Sequence, residues 1–210
     1  MKKLIPILLA VFALAACEKD PDMGKLDDKY LVYTNHDEKA NFKVPTFYLA
    51  PQILVISDSK EPEYLEGEGA EQILAAYTDN MVARGYTEAT DKESADLGLQ
   101  VSYIESTYYF TTYQQPEWWW GYPGYWGPSY WGNWGGGWYY PYPVTYSYST
   151  NSFLTEMVNL QADEGATKKL PIIWTSYLTG YETGSKLINR KLAVEAVNQS
   201  FAQSPYITNK

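Results

Sequence analysis

The chain has 210 residues, a formal net charge of −9 and 17% aromatic residues. A chain this acidic does not suit nucleic acid, whose binding depends on neutralising phosphates, and anionic lipid surfaces would repel it. Once a targeting segment is set aside, the length suits one domain with a core of its own.

The N-terminus has the pattern of a bacterial lipoprotein signal peptide. Lys2 and Lys3 precede an apolar run over residues 4–14, which ends in small residues before Cys17. The run is too short to span a membrane, which takes about 20 apolar residues. We therefore expect residues 1–16 to be removed by cleavage between Ala16 and Cys17, with lipid on the Cys17 sulfur. An ordinary cleaved signal that leaves a free thiol is the alternative.

Residues 17–29 are expected to form the lipidated cysteine and a flexible tether, because they are polar and acidic and include Pro21 and Gly24. The run from Glu18 to Asp22 is similar to the lysine-plus-acidic signals that send lipoproteins to the outer surface in some Gram-negative lineages. A generic solvated linker is the alternative. We expect a lipid-anchored protein of the outer membrane that faces either the periplasm or the surface.

Residues 30–204 predict a single α+β domain. Apolar periodicity and β-branched or aromatic content give the expected elements: strands at 30–34, 46–49 continuing through 53–56, 97–103, 153–160 and 172–178, and helices at 70–84 and 185–201. A polar turn is expected at 35–38 and a loop at 57–69. The order β-β-α-β-β-β-α predicts a mainly antiparallel sheet with two helices packed on one face.

Two of these elements have the clearest patterns. Ile73, Tyr77 and Met81 recur every four residues, which indicates one buried face of the first helix, and Gly85 is placed to end it. In the strand from residue 97, the apolar residues at 97, 99, 101 and 103 alternate with Gly98, Gln100 and Ser102. This alternation predicts one buried face and one face in water.

Residues 114–148 form an aromatic insertion rich in Gly and Pro. Seven of the eight tryptophans lie between Pro116 and Pro143, and Glu117 is the only charged residue from 106 to 155. Gly and Pro disfavour a helix or a central strand, so we expect a long hairpin excursion that joins two strands. Its candidate contact residues are Trp118, Trp119, Trp120, Tyr122, Tyr125, Trp126, Trp131, Trp134, Trp138 and Tyr139.

Four interpretations of this aromatic segment remain open. Aromatic rings on loops can stack on the faces of sugars, which favours glycan or peptidoglycan binding. Trp and Tyr also gather at membrane interfaces, and tracts with little charge associate with one another. The fourth interpretation is a composition-biased insertion with no single ligand.

The residues of common catalytic sites are scarce. His36, expected in a polar surface turn, is the only histidine, so the usual triads and His/Cys zinc sites cannot be assembled. No phosphate-binding glycine loop occurs. A carboxylate-rich loop suits a solvated surface better than a calcium site, since it lacks the spacing of a calcium-binding loop: its acids are Glu61, Glu63, Glu66 and Glu68. We expect no enzymatic activity, no cofactor and no bound metal.

Several short motifs follow one another after the tether: Phe42 with Thr46–Leu49, Arg84–Tyr86, Ala95–Leu97, Phe153–Leu160, and Ile173–Trp174 before Gly180. In this order they resemble the bacterial lipoprotein family called domain of unknown function 4136. Members commonly carry a Gly/Tyr/Trp-rich stretch at the central position. The sequence departs from the family at Asn159 and the loop after it, and at Thr175, where a basic residue is usual. The resemblance implies an α+β fold in the cell envelope and supplies no catalytic residues.

These observations together predict a membrane-anchored envelope lipoprotein that works by binding or structural association. The expected partners are the membrane, through the lipid, and envelope proteins or glycans. A surface lipoprotein that binds glycan or peptidoglycan through the aromatic segment is the alternative, and a hydrolase is a distant third.

Overall fold

The computed structural model describes residues 30–57, 63–105, 108–112, 138–139, 144–148, 151–162, 170–180 and 186–210. Over these residues the fold is α+β, as predicted. The α-helices are α1 (Glu68–Ala83) and α2 (Lys186–Ala202), and a short 3-10 helix spans Lys92–Ser94. The strands are β1 (Tyr30–His36), β2 (Thr46–Leu49), β3 (Ile53–Ile56), β4 (Glu63–Leu65), β5 (Thr87–Glu88), β6 (Leu97–Ile104), β7 (Tyr108–Thr112), β8 (Trp138–Tyr139), β9 (Val144–Tyr148), β10 (Ser152–Asn159) and β11 (Leu170–Gly180).

The large sheet is centred on β6, β10 and β11. Its main order is β1-β11-β10-β6-β2-β5, and the pairs from β1 to β6 are antiparallel. β2 and β3 pair with β6 in the parallel sense. A parallel neighbour needs a crossover, which α1 supplies between β3 and β6. The sheet is therefore mixed, though largely antiparallel.

β2 and β3 lie one after the other along the same edge of β6. β2 pairs with its first half, where Phe47 faces Leu97, and β3 pairs with its second half, where Leu54 faces Ser102. Pro51 lies between them and has no N–H to donate, so the ladder is interrupted there. The predicted continuation of the second strand past Pro51 is confirmed.

Three boundaries differ from the predicted ones. β1 extends to His36, so the polar turn expected at 35–38 begins only after residue 36. The expected loop at 57–69 contains β4, which pairs with β3, and the first residues of α1. In each case pairing or packing with a distant segment holds residues whose local composition is polar.

The main hydrophobic core lies between the sheet and the two helices. α1 contributes Ile73, Tyr77 and Met81, as its periodicity predicts. The fully buried Trp174 of β11 packs against Phe201 of α2, with ring centroids 5.4 Å apart. Its indole Nε1 donates a hydrogen bond of 2.9 Å to Ser204 Oγ, so the one polar atom of this large side chain is satisfied in the core.

The end of α1 is closed by Gly85 and by the last residues of the chain. Gly85 has φ +95°, its N–H donates to Val82 O, and the Tyr86 N–H donates to Met81 O, which is a Schellman ending. The Asn209 N–H and Lys210 Nζ then donate to the carbonyls of Arg84 and Ala83. These donors satisfy carbonyls that a helix end leaves unpaired.

This geometry predicts opposite effects of alanine at two glycines. Gly85→Ala should lower the free energy of unfolding by about 1–2 kcal/mol, because a Cβ is strained at positive φ. Gly69→Ala, inside α1, should raise it by up to about 1 kcal/mol, since the added Cβ meets only Arg190 Cδ at 3.8 Å. Urea unfolding of the two variants measures both changes, and a destabilisation of equal size at both positions would contradict this helix ending.

Tyr77 predicts a loss of stability in alkali. Burial raises the pKa of its phenol well above the ordinary value of 10.0. Above about pH 10 the Tyr77 phenol of the unfolded chain loses its proton, whereas the folded chain keeps it. The free energy of unfolding therefore keeps its full value below about pH 10 and falls as the pH rises further.

The matched test compares Tyr77→Phe with Tyr33→Phe, whose ring is half exposed. At pH 8 Tyr77→Phe should cost about 1 kcal/mol, since Thr155 Oγ loses its bond to the Tyr77 hydroxyl. Between pH 8 and pH 11 its urea midpoint should fall less than that of the wild type, whereas Tyr33→Phe should follow the wild type. A midpoint that falls equally in all three proteins would show that Tyr77 is not the group responsible.

Candidate functional site

The predicted site residues lie mainly outside the described residues. This holds for Ala16, Cys17 and the aromatic residues Trp118, Trp119, Trp120, Tyr122, Tyr125, Trp126, Trp131 and Trp134. Trp138 and Tyr139 are described as the two residues of β8, which pairs in the parallel sense with Leu170 and Pro171 of β11. Neither of the helices in the described ranges is long and apolar enough to cross a membrane.

The strands β7 and β9 on either side of the aromatic segment follow β6 and precede β10, two central strands of the large sheet. β6 and β10 are neighbours in the sheet, and β7 and β9 pair beyond them as a two-stranded ribbon. The register is the same in both parts. Tyr103 faces Phe153 in the large sheet, and Tyr108 faces Tyr148 in the ribbon, so a step of five residues forward from Tyr103 matches a step of five residues back from Phe153. The hairpin excursion predicted for residues 114–148 lies largely outside the described residues; within them, β9 at its C-terminal end pairs with β7.

The sheet face that points away from the helices is also buried. The prediction that β6 has one face in water is wrong, because Gln100 is 6% and Ser102 1% exposed. Alternation of side chains places these residues opposite the helix side. The buried polar residues of this face are Gln100, Ser102, Ser152, Glu156, Thr175 and Tyr177, and we call them the polar row.

Glu156 is the only residue of the polar row with a carboxyl group, and it is therefore the one best suited to bind a ligand or transfer a proton. It lies at the middle of β10, directly between Gln100 of β6 and Thr175 of β11, and is 1% exposed. A buried carboxylate is costly unless it is hydrogen-bonded, so its position on the central strand is a specific one. The sequence pattern did not single out Glu156 as a site residue, since alternation alone does not show that a second face of the sheet is covered.

Other members of the polar row are joined by local contacts. The hydroxyls of Ser152 and Tyr177 lie 3.0 Å apart, and the Tyr177 ring stacks on Tyr33 with centroids at 6.3 Å. Gln100 Nε2 donates to the carbonyl of Val101 at 2.8 Å. The face that holds the Glu156 carboxylate is thus lined by buried hydroxyl and amide side chains, and such groups can hold or orient a hydrogen-bonding group.

The sequence predicted His36 in a polar surface turn, and this prediction is wrong. His36 is the last residue of β1 and is partly buried, and its ring stacks on Tyr206 with centroids 3.8 Å apart at an interplanar angle of 19°. Phe42 lies tilted beside it at 6.4 Å. The strand reaches His36 because its pairing with β11 continues to Trp174. The ring is thus part of an aromatic cluster on the helix side.

The carboxylates of the acidic loop are used in local contacts where they are described. Glu63 accepts a hydrogen bond of 2.8 Å from Ser57 Oγ. Glu68 pairs with Arg190 at 2.9 Å and accepts from Gln72 at 3.0 Å. In the ranges that the structure covers, no group of three or more His, Cys, Asp or Glu side chains is placed to hold a metal ion.

Comparison with known proteins places the chain in a family. Residues 32–206 match the family described as domain of unknown function DUF4136. The crystal structure of a DUF4136 family protein from Bacteroides thetaiotaomicron is 82% identical in sequence, with a TM-score of 0.77 over 88% of this chain and 100% of that one. No curated protein matches the sequence. The family match covers most of the chain, and the chain therefore belongs to the DUF4136 family.

Proposed function

We propose that this protein is a lipid-anchored lipoprotein of the bacterial outer membrane that acts by binding or structural association rather than by catalysis. The observation that supports the binding role best is the position of the aromatic segment. The ribbon formed by β7 and β9 leaves the middle of the sheet in the same register as β6 and β10. A contact segment rooted in the most deeply buried strands has a rigid support.

The composition of residues 113–143 supports a contact role for this segment. It contains seven tryptophans and one charged residue, Glu117. Large rings with a polar edge give much contact area with few rotatable bonds, which lowers the entropy cost of binding. The partners that fit this chemistry are other envelope proteins, with glycans as the alternative.

The lipid anchor rests on the N-terminal pattern and on the chemistry of Cys17. The sole cysteine follows Leu14, Ala15 and Ala16 at the end of a short apolar run. Lipoprotein processing needs small residues before the cysteine that receives the lipid. Two or more acyl chains give stable attachment, since each buried CH₂ contributes about 0.8 kcal/mol.

The anchor is tested by Cys17→Ser with labelled palmitate and membrane fractionation. The wild type should incorporate palmitate and sediment with the outer membrane, and the variant should do neither. The change is confined to one atom, so the folded domain is not affected. A Cys17→Ser protein that stays with the outer membrane would refute anchoring through this sulfur.

The glycan alternative is tested by tryptophan emission. Because seven of the eight tryptophans lie in the segment and the eighth, Trp174, is fully buried, emission that a soluble quencher can reach reports on the segment. Soluble peptidoglycan fragments or polysaccharides should protect that emission if the rings stack on sugars. A variant with Trp118, Trp119 and Trp120 changed to Ala is the control. Unchanged quenching across the glycan panel would leave envelope proteins as the partners.

A further inference from the structure

Strand β1 forms one edge of the large sheet and presents apolar side chains to solvent. Among the described strands its only partner is β11. Leu31 is 55% and Tyr33 50% exposed. The strand contains no Lys, Pro or carboxylate, the residues that natural edge strands use to prevent pairing with another chain.

The backbone of β1 has hydrogen-bonding groups that point outward. The Asp37 N–H donates to Ile173 O at 3.0 Å, and the register then places residues 31, 33 and 35 in the pairs that bond to β11. The N–H and C=O groups of Val32 and Thr34 therefore point away from β11. This edge offers the donors and acceptors for one more antiparallel strand.

We infer that β1 pairs with β1 of a second copy of this chain, antiparallel about a twofold axis at Tyr33. In this register Val32 of each copy forms a hydrogen-bonded pair with Thr34 of the other, so the outward-pointing groups of both copies are used. The two large sheets then become one continuous sheet. A twofold contact of this kind closes on itself and stops at the dimer.

Side chains and charge favour a second copy as the occupant. Tyr33 stacks on Tyr177 at an interplanar angle of 25°, and the second copy would place its own Tyr33 beside that pair, on the same face. Although the chain carries a net charge of −9, β1 has no charged residue, so self-pairing sets no like charges of the strand against each other.

The inference goes beyond the proposed function and does not require the lipid. Anchoring would hold copies in one plane and raise their effective concentration at this edge. The pairing itself depends only on the sequence and exposure of β1, so it can be tested on protein without an acyl chain.

Cysteine cross-linking tests the register. The purified full chain carries Cys17→Ser, so that one introduced cysteine is the only thiol. Tyr33→Cys should give a disulfide-linked dimer under mild oxidation. In this register the two copies of residue 33 form a non-hydrogen-bonded antiparallel pair, whose Cα atoms are about 4.5 Å apart. Leu31→Cys should not, because in this register its two copies are offset by four residues, about 13 Å along the strands. Equal cross-linking at both positions, or none at Tyr33→Cys, overturns the inference.

Sedimentation of the Cys17→Ser chain over a concentration series tests the affinity. The parent should show a reversible dimer, and Tyr33→Lys should weaken it by at least about tenfold, since an edge lysine opposes pairing. Tyr64→Lys is the matched control, because Tyr64 is also exposed but lies on β4. It should change the dissociation constant by less than about twofold. A parent that stays monomeric at every concentration, or equal weakening by both lysines, overturns the inference.

Discussion

The antiparallel pairing of β6 with β10 is the interaction on which the other strands depend. β6 carries β2 and β3 on its other edge, and β10 carries β11, which in turn carries β1. The same register continues into the ribbon of β7 and β9. A slip by one residue would turn every side chain of these strands to the opposite face, so the register fixes both faces of the sheet at once.

The two faces of the sheet are buried in chemically different ways. On the helix side, Trp174, Phe201 and their neighbours form an apolar core in which Tyr77 bonds the Thr155 hydroxyl and Ser204 bonds the Trp174 indole. On the other side, the polar row centres on the carboxylate of Glu156. Polar groups removed from water are costly unless they are paired, and on this face the Ser152 and Tyr177 hydroxyls and the Gln100 amide are hydrogen-bonded.

Local patterns in the sequence were enough to predict the helices and the central strands. The period of Ile73, Tyr77 and Met81 comes from the helix itself, and the Gly85 ending needs only positive φ. The alternating sequence of β10 likewise predicts a strand. The resemblance to the family, drawn from short motifs in order, agrees with the match over residues 32–206.

What the sequence did not predict depends on contacts between distant segments. β4 has two exposed residues, Glu63 and Tyr64, and exists because β3 pairs with it. His36 belongs to a strand because β11 extends as far as Trp174 beside it. Gln100 and Ser102 were predicted to face solvent because alternation shows which residues share a face, but not whether that face is covered. The candidate site was missed for this last reason.

Hydrogen exchange of the backbone amides, followed by mass spectrometry on the full chain, tests most directly whether β6 and β10 form the centre of the molecule. Amides of β6, β10 and β11 should exchange slowest and only through global unfolding, while those of the edge strands β1 and β5 should open at lower free energy. Exchange in β6 and β10 as fast as in β5 would contradict the central position of this pair.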